Sequence, residues 1–356
     1  MLKKLGLITL SLLLALSVGC KKNELDIERP ESSEISITEE SSEPEIIEET
    51  KSINPLTGLA ELEDADAVNN RPVAITINNY KVAQPVQTGL NNADIIYETE
   101  VEGGITRLLA LYQDVSKVKK IGTVRSARYV FIDLALGHNA VYIHHGQDHF
   151  HITNHIKKVD RLELSTNNAG VRIANGLASE HTLYAYGDKL ATAIAKKGIK
   201  TKTDSVKPWQ NFALESETIN YSQIANSVTV PFNSNVKSTF TYSADTGRYT
   251  RSFNGTIRKD YNSGESVTVK NVFVLYTTIR NYNCTGADTY QHREVLLQSG
   301  DGYYFVNGTY TPIKWSKGSS KNGIKFTNPD GTPLTVNPGN SWVCIASKSN
   351  SQAVIA

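Results

Sequence analysis

A chain of 356 residues, 39% hydrophobic and 21% charged, has the length for one large domain or two ordinary ones, not many, and enough apolar side chains for a buried core. The net charge of +1 hides an asymmetry: residues 21–52 hold eleven Asp or Glu against four Lys or Arg, and residues 53–356 hold 31 Lys or Arg against 25 Asp or Glu. An acidic stalk therefore carries a mildly basic head, a charge that suits anionic polymers and is too small to argue for nucleic acid.

The N-terminus reads as an export signal. Lys3 and Lys4 precede an uncharged apolar run over 5–18, long enough for a signal core and too short to span a bilayer comfortably. Leu16-Ser17-Val18-Gly19-Cys20 follows. It is a lipobox with its Leu one place early, and it predicts removal of residues 1–19 and lipidation of Cys20. Two or more acyl chains on one cysteine anchor a protein stably. The expected location is the extracytoplasmic face of the cell membrane. Residues 20–52, rich in Glu and Ser with no sustained apolar period, predict a disordered tether whose ends sit roughly 30 Å apart as a random coil.

The head begins at the turn-rich segment 53–59. Residues 73–77 read as a strand ending at Asn78-Asn79. Ile95, Tyr97 and Val101 alternate with Glu98, Glu100 and Glu102 before Gly103-Gly104, and a second apolar run covers 105–112. Two such runs about a Gly-Gly pair predict a hairpin, since glycine accepts the positive φ of a tight turn. Residues 121–124 are a short extended piece. Ser126 is a good N-cap for a helix over 127–136 that Gly137 stops. A strand over 140–143, a second helix over 144–155 and a third over 186–197 complete a mixed α/β domain, 53–222. Beyond residue 222 short β-rich runs at 228–232, 238–243, 248–253, 267–277, 294–298, 303–306, 325–327 and 342–345 are separated by Gly, Asn or Asp turns. They predict a mostly antiparallel β domain over 223–356, a sandwich or small barrel. The fold class expected is thus α+β.

Several motifs occur in fixed order: Asn54-Pro55-Leu56-Thr57-Gly58-Leu59, Arg71-Pro72-Val73-Ala74-Ile75, Ala93-Asp94-Ile95-Ile96-Tyr97-Glu98, Val101-Glu102-Gly103-Gly104-Ile105-Thr106-Arg107, Ile121-Gly122-Thr123-Val124-Arg125-Ser126-Ala127-Arg128, Tyr249-Thr250-Arg251, and Pro338-Gly339-Asn340-Ser341-Trp342. Together they resemble the YerB-type lipoproteins of Gram-positive bacteria over about residues 54–345. The resemblance implies a lipoprotein signal followed by two successive domains of unknown function. It implies no activity, so the motifs have to be read chemically.

The sharpest constellation is Arg125-Ser126-Ala127-Arg128 at a helix start, with Arg107 nearby in the motif order. Free N–H groups and forked guanidiniums there suit a phosphate or carboxylate. The competing reading pairs Arg125 and Arg128 with Glu98, Glu100 or Glu102 and leaves Ser126 as a cap. Glu98 and Glu102 are the candidate general acid and base, with His144; ion pairs on a hairpin face explain the acids equally well. The run His144-His145-Gly146-Gln147-Asp148-His149-Phe150-His151, then His155, offers His145, His149, His151 and His155 as metal ligands, and His151 and His155 would share a helix face. No Glu completes a His-Glu-x-x-His pattern, and solvated histidines are the blander account. Cys284 and Cys344 suit either a disulfide outside the cytosol or two buried thiols. Tyr303, Tyr304, Tyr310, Trp315 and Trp342 are candidates for stacking on sugars, though core packing accounts for most.

No Gly-x-Ser-x-Gly elbow, Gly-Lys-Ser/Thr phosphate loop or dinucleotide fingerprint occurs. The reading is a lipid-anchored surface protein that binds an anionic cell-envelope polymer, or an envelope protein, through a cleft of Arg107, Arg125, Ser126 and Arg128; with no complete catalytic motif the sequence leans away from an enzyme and leaves catalysis undecided. The alternative is an envelope hydrolase or transferase using Glu98, Glu102 and His144. No cofactor is expected, with a divalent metal such as zinc as the variant of that alternative.

Overall fold

Two kinds of strand sequence explain the architecture. Val73-Ala-Ile-Thr-Ile-Asn78 and Asn271-Val-Phe-Val-Leu-Tyr-Thr277 are buried at every position, as strands covered on both faces must be. Ser227-Val-Thr-Val-Pro-Phe-Asn233 alternates buried and half-buried positions, as a strand with one wet face does. The computed structural model describes residues 51–148, 151–282, 292–349 and 352–356. All of them belong to one compact unit, Glu49–Ala356.

The first half contributes β1 (Val73–Asn78), β2 (Ile95–Glu100), β3 (Thr106–Tyr112), β4 (Val141–His144) and β5 (Arg161–Glu163), with α1 (Tyr129–Gly137) and α2 (Gly187–Lys196). The second half contributes β6 (Ser227–Asn233), β7 (Val236–Ser243), β8 (Arg248–Phe253), β9 (Asn271–Thr277), β10 (Ile279–Tyr282), β11 (His292–Val295), β12 (Ser299–Val306), β13 (Thr309–Ser316) and β14 (Ser341–Ser347). One eleven-stranded sheet runs β13-β12-β9-β14-β2-β3-β1-β4-β5, with Gln223–Ile224 and Lys325–Thr327 both paired to β13. It is mixed: β14 lies parallel to both β9 and β2, placing Trp342 opposite Ile96 and Cys344 opposite Glu98. The halves 53–222 and 223–356 therefore share a sheet, and the β-rich character expected of the second half extends through the first.

Three layers result. One face of the large sheet, with Ile75, Ile96, Leu108, Val274 and Trp342, packs on Val228, Val230, Phe240 and Tyr249 of a six-stranded sheet built on β6, β7 and β8, and on Leu190 and Ile194 of α2. The other face, with Tyr97, Leu109, Phe273 and Val343, packs on Val130, Phe131 and Leu134 of α1. Each such side chain taken from water stabilises the fold by roughly 1.5–3 kcal/mol. Tyr304, Trp315 and Trp342 are core residues and offer no stacking surface.

The hairpin at Gly103-Gly104 forms as expected, with both glycines at positive φ (71° and 66°). Two expectations need correction. Helix α1 starts at Tyr129, its N-cap is Arg128 in extended conformation, and Ser126 lies outside it. Among the described residues of 144–155 no α-helix forms: His144 ends β4, Gly146 at φ 78° turns the chain, and a single 3-10 turn follows at Ile156–Lys158. A left-handed glycine whose N–H donates to Glu163 (3.0 Å) cannot continue a helix.

Helix α2 starts at Gly187 because nothing larger fits: a Cβ there would lie 1.9 Å from the Val115 carbonyl oxygen and 2.6 Å from that of Val118. Gly187→Ala should lower unfolding stability by about 1–3 kcal/mol, the usual cost of forcing a methyl into filled space. Urea denaturation reads this, and a midpoint equal to that of the unaltered protein would mean that the 115–118 turn yields without cost.

Candidate functional site

The segment Ile121 to Arg128 is extended and pinned by its backbone: the Arg125 N–H donates to Thr76 O (2.9 Å), the Ala127 N–H to Gly146 O (3.0 Å), and the His145 N–H to Arg125 O (3.1 Å). This directs the two arginines of the motif to different acids. Arg128 donates to both oxygens of Glu102, through Nε at 2.6 Å and through a second, shorter contact. Arg125 turns to Glu180, donating to its carbonyl at 3.0 Å. Arg107, on β3, is buried, and donates to Glu102 (2.9 Å) and to the Ser126 carbonyl (3.0 Å). Burial alone would raise the Glu102 carboxyl, but the Arg128 hydrogen bond and the charges of Arg107 and Arg128 outweigh it and hold the group at about 2. A carboxylate so clamped stays ionised at neutral pH and has no proton to give.

Glu98 lies on the other face of the sheet. It is fully buried and accepts from Asn79 (2.8 Å), Thr106 (3.0 Å), Ser238 (2.9 Å) and the Trp342 indole (3.1 Å), with Arg251 at 3.4 Å. The two acids singled out from the sequence are thus separated by the sheet. His144 is buried, with Nδ1 2.8 Å from both Gly146 O and a Glu163 oxygen. His145 lies between Glu163 and Arg172, 2.8 Å from the latter. Cys344 is buried, its thiol pushed up by burial and by Glu98, while Cys20, His149 and Cys284 lie outside the described residues.

Two clefts remain. The first, of about 620 Å³, lies where the end of α1 meets the 205–209 and 321–325 loops. Lys207, Lys321 and Lys325 are exposed on its walls, with Arg71, His138 and Trp209. Among the described residues lining it there is no Asp or Glu. The second, of about 400 Å³, opens between the start of α1 and the β10–β11 ribbon. Glu100, Glu102, Asp133, Asp148 and Glu294 line it against Arg128 and Arg293. His151 and His292 meet Asp148 in its wall. His155 is not part of that cluster: it bonds Asp133 of the lining (2.7 Å) and stacks on Tyr129. None of Asp148, His292, Trp209 or the three cleft lysines was singled out by the sequence pattern, because each cleft joins residues more than 100 positions apart.

The mixed sheet, the covering α1 and the shared buried network define a single β-rich unit. Models of a protein of unknown function (DUF3048), its N-terminal domain and its C-terminal domain, match residues 56–200 and 228–343. The chain belongs to this family, as the motif order indicated. It is 31% identical over 316 residues, 82% of this chain and 85% of the relative, to the "Putative lipoprotein YerB" of Bacillus subtilis (strain 168). It also matches the crystal structure of the YerB protein from Bacillus subtilis with a TM-score of 0.72 and 28% identity, covering 85% of this chain and 99% of that one. Among the described residues no helix is long and apolar enough to cross a membrane.

Proposed function

We propose that this protein is lipid-anchored through Cys20 on the extracytoplasmic face of the membrane and that its head binds an anionic cell-envelope polymer in the lysine-lined cleft. The signal run, Cys20 and the acidic tether support the anchoring, as does membership of a family that includes a lipoprotein by name. One observation carries the binding reading. A cleft of about 620 Å³ presents three exposed lysines with no carboxylate on the described part of its lining, and Arg71 beside them is engaged by Asp160 at 2.7 Å. Phosphate-bearing polymers meet such a surface favourably, and salt weakens the attraction. Trp209 adds an apolar wall against which a sugar or glycerol unit packs. Arg107 and Arg128 carry the reading less well, since Glu102 neutralises part of their charge, and Arg125 is similarly engaged by Glu180.

Co-sedimentation of the full chain, in detergent, with purified cell walls tests this. Binding should occur at low salt and fall at high salt. Stripping the walls of teichoic acid, or the triple change Lys207→Glu, Lys321→Glu and Lys325→Glu, should abolish it. Retention by the triple variant at the unaltered level would overturn the site, and equal binding to stripped walls would overturn the ligand. Binding to neither wall would transfer the reading to an envelope protein.

A further inference from the structure

The acid-lined cleft has the wrong sign for an anion and the right one for a cation. Five carboxylates face two guanidiniums, and each guanidinium is already engaged: Arg128 by Glu102, Arg293 by Glu100 at 3.1 Å. We propose that Asp148, His151 and His292 form a binding site in this cleft for a divalent transition-metal ion of the zinc class.

The donors come from separate places. Asp148 and His151 lie in the loop after β4, and His292 opens β11 on the ribbon that faces α1. Only the fold brings them together, with one donor atom from each within 4.8 Å of the others. Asp148 Oδ2 is 3.2 Å from His292 Nδ1 and 2.5 Å from His151 Nδ1. The two imidazoles sit side by side at 4.3 Å between ring centres. A tetrahedral zinc with ligand bonds of 2.0–2.2 Å spaces its donors by about 3.3 Å. The Asp148–His292 separation already has that value, and His151 has to withdraw by about 0.8 Å to admit an ion.

The surroundings are those of a built site. The side chains are 3%, 10% and 13% exposed for Asp148, His151 and His292. The His151 backbone N–H donates to the other Asp148 oxygen (3.3 Å) and fixes the carboxylate, and the edge of Tyr282 packs against the His151 ring at 4.5 Å. Orienting contacts of this kind position metal ligands. Two imidazoles and one carboxylate select a borderline transition metal over calcium or magnesium, which prefer oxygen donors. Three protein ligands leave a fourth position facing the cleft, where water or a ligand group completes the shell. The donors differ from the pair His151 and His155 that helical spacing offers, because the 144–155 stretch turns at Gly146 and sends His155 to Asp133.

The test is a Zn²⁺ titration of the chelator-treated full chain in detergent against a chromophoric competitor. One zinc per chain should bind. His151→Ala and His292→Ala should each weaken binding by more than about 100-fold, beyond the loss typical of a supporting residue, while His155→Ala should leave it unchanged. Melting temperature supplies the second readout: zinc should raise it in the unaltered protein and not in the His151→Ala/His292→Ala double variant. His292→Gln keeps a polar side chain of similar size should an alanine variant fail to fold. Absence of tight zinc binding, equal binding by the double variant, or an equal loss in His155→Ala would each overturn the site. The proposal is independent of the lysine cleft: the triple glutamate variant should still bind zinc, and wall binding should persist in chelator.

Discussion

Replacing Arg251 by Met should cost the protein about 3–5 kcal/mol of unfolding stability, the usual price of leaving one half of a buried ion pair alone. Arg251 on β8 is fully buried and lies over the Trp342 ring at 4.4 Å. Its guanidinium reaches Glu98 on β2 at 3.4 Å, and also Ser238 and Asn79 at 3.3 Å. Burial pushes the guanidinium below its ordinary value and the Glu98 charge offsets part of that. Without Arg251, Glu98 keeps its neutral donors Asn79, Thr106, Ser238 and Trp342 but loses its countercharge, in a place water does not reach. Glu98→Gln should be damaging for the converse reason. The double variant should be less destabilised than the sum of the two by at least about 1 kcal/mol, as coupled residues in one network are. Because the network joins β2, β8 and β14, it ties the two sequence halves into one cooperative unit. Urea unfolding of Arg251→Met should therefore remain a single transition with an unaltered slope and a lower midpoint. An unfolding free energy within about 0.5 kcal/mol of that of the unaltered protein would show that the pair contributes nothing net.

Some of the residues that carry the family resemblance belong to this junction. Glu98, Thr106, Arg251 and Trp342 stand in four of the motifs read from the sequence, and they meet around one carboxylate. Strands β1, β2 and β3 were legible because their runs are continuously apolar or alternate about a Gly-Gly turn. Helix α2 was legible because Leu190 and Ile194 fall on one face. The insertion of β14 between β2 and β9 was not, since nothing local in residues 341–347 encodes a partner some 245 positions away. Of the competing pairings read for Arg125 and Arg128, that of Arg128 with Glu102 forms, whereas Arg125 goes to Glu180, because an extended, pinned backbone sends side chains three positions apart to opposite sides. The histidine run supplies His151 to the Asp148 cluster, while His155, which shares its helical spacing, bonds Asp133 instead. Asp148 stood inside the run, but His292 lay beyond any spacing argument.

The second large effect concerns acid. Glu102 is held at about 2 in the folded protein against an ordinary 4.5, so the unfolded chain takes up a proton first as pH falls. Its contribution is complete above pH 4.5 and is lost as pH drops toward 2. A shift of that size corresponds to about 3 kcal/mol, and the side chain is only 17% exposed, so solvent screens it little. Glu163, also held at about 2 through His144 and the Gly146 N–H against the opposing pull of burial, adds a slope over the same window. The comparison that isolates Glu102 is therefore the difference between the unaltered protein and Glu102→Gln. At pH 7 the variant should be less stable by about 3 kcal/mol, because Arg107 and Arg128 lose their shared anion. Below pH 4.5 the gap should narrow and close near pH 2. Urea midpoints at pH 7, 4.5, 3.5 and 2.5 read it, and parallel curves across that range would show that the two arginines do not depress Glu102. The sign also bears on chemistry. A group that protonates only near pH 2 cannot serve as a general acid at neutral pH, so the position holds two guanidiniums in place, one of them lining the cleft where Asp148, His151 and His292 meet.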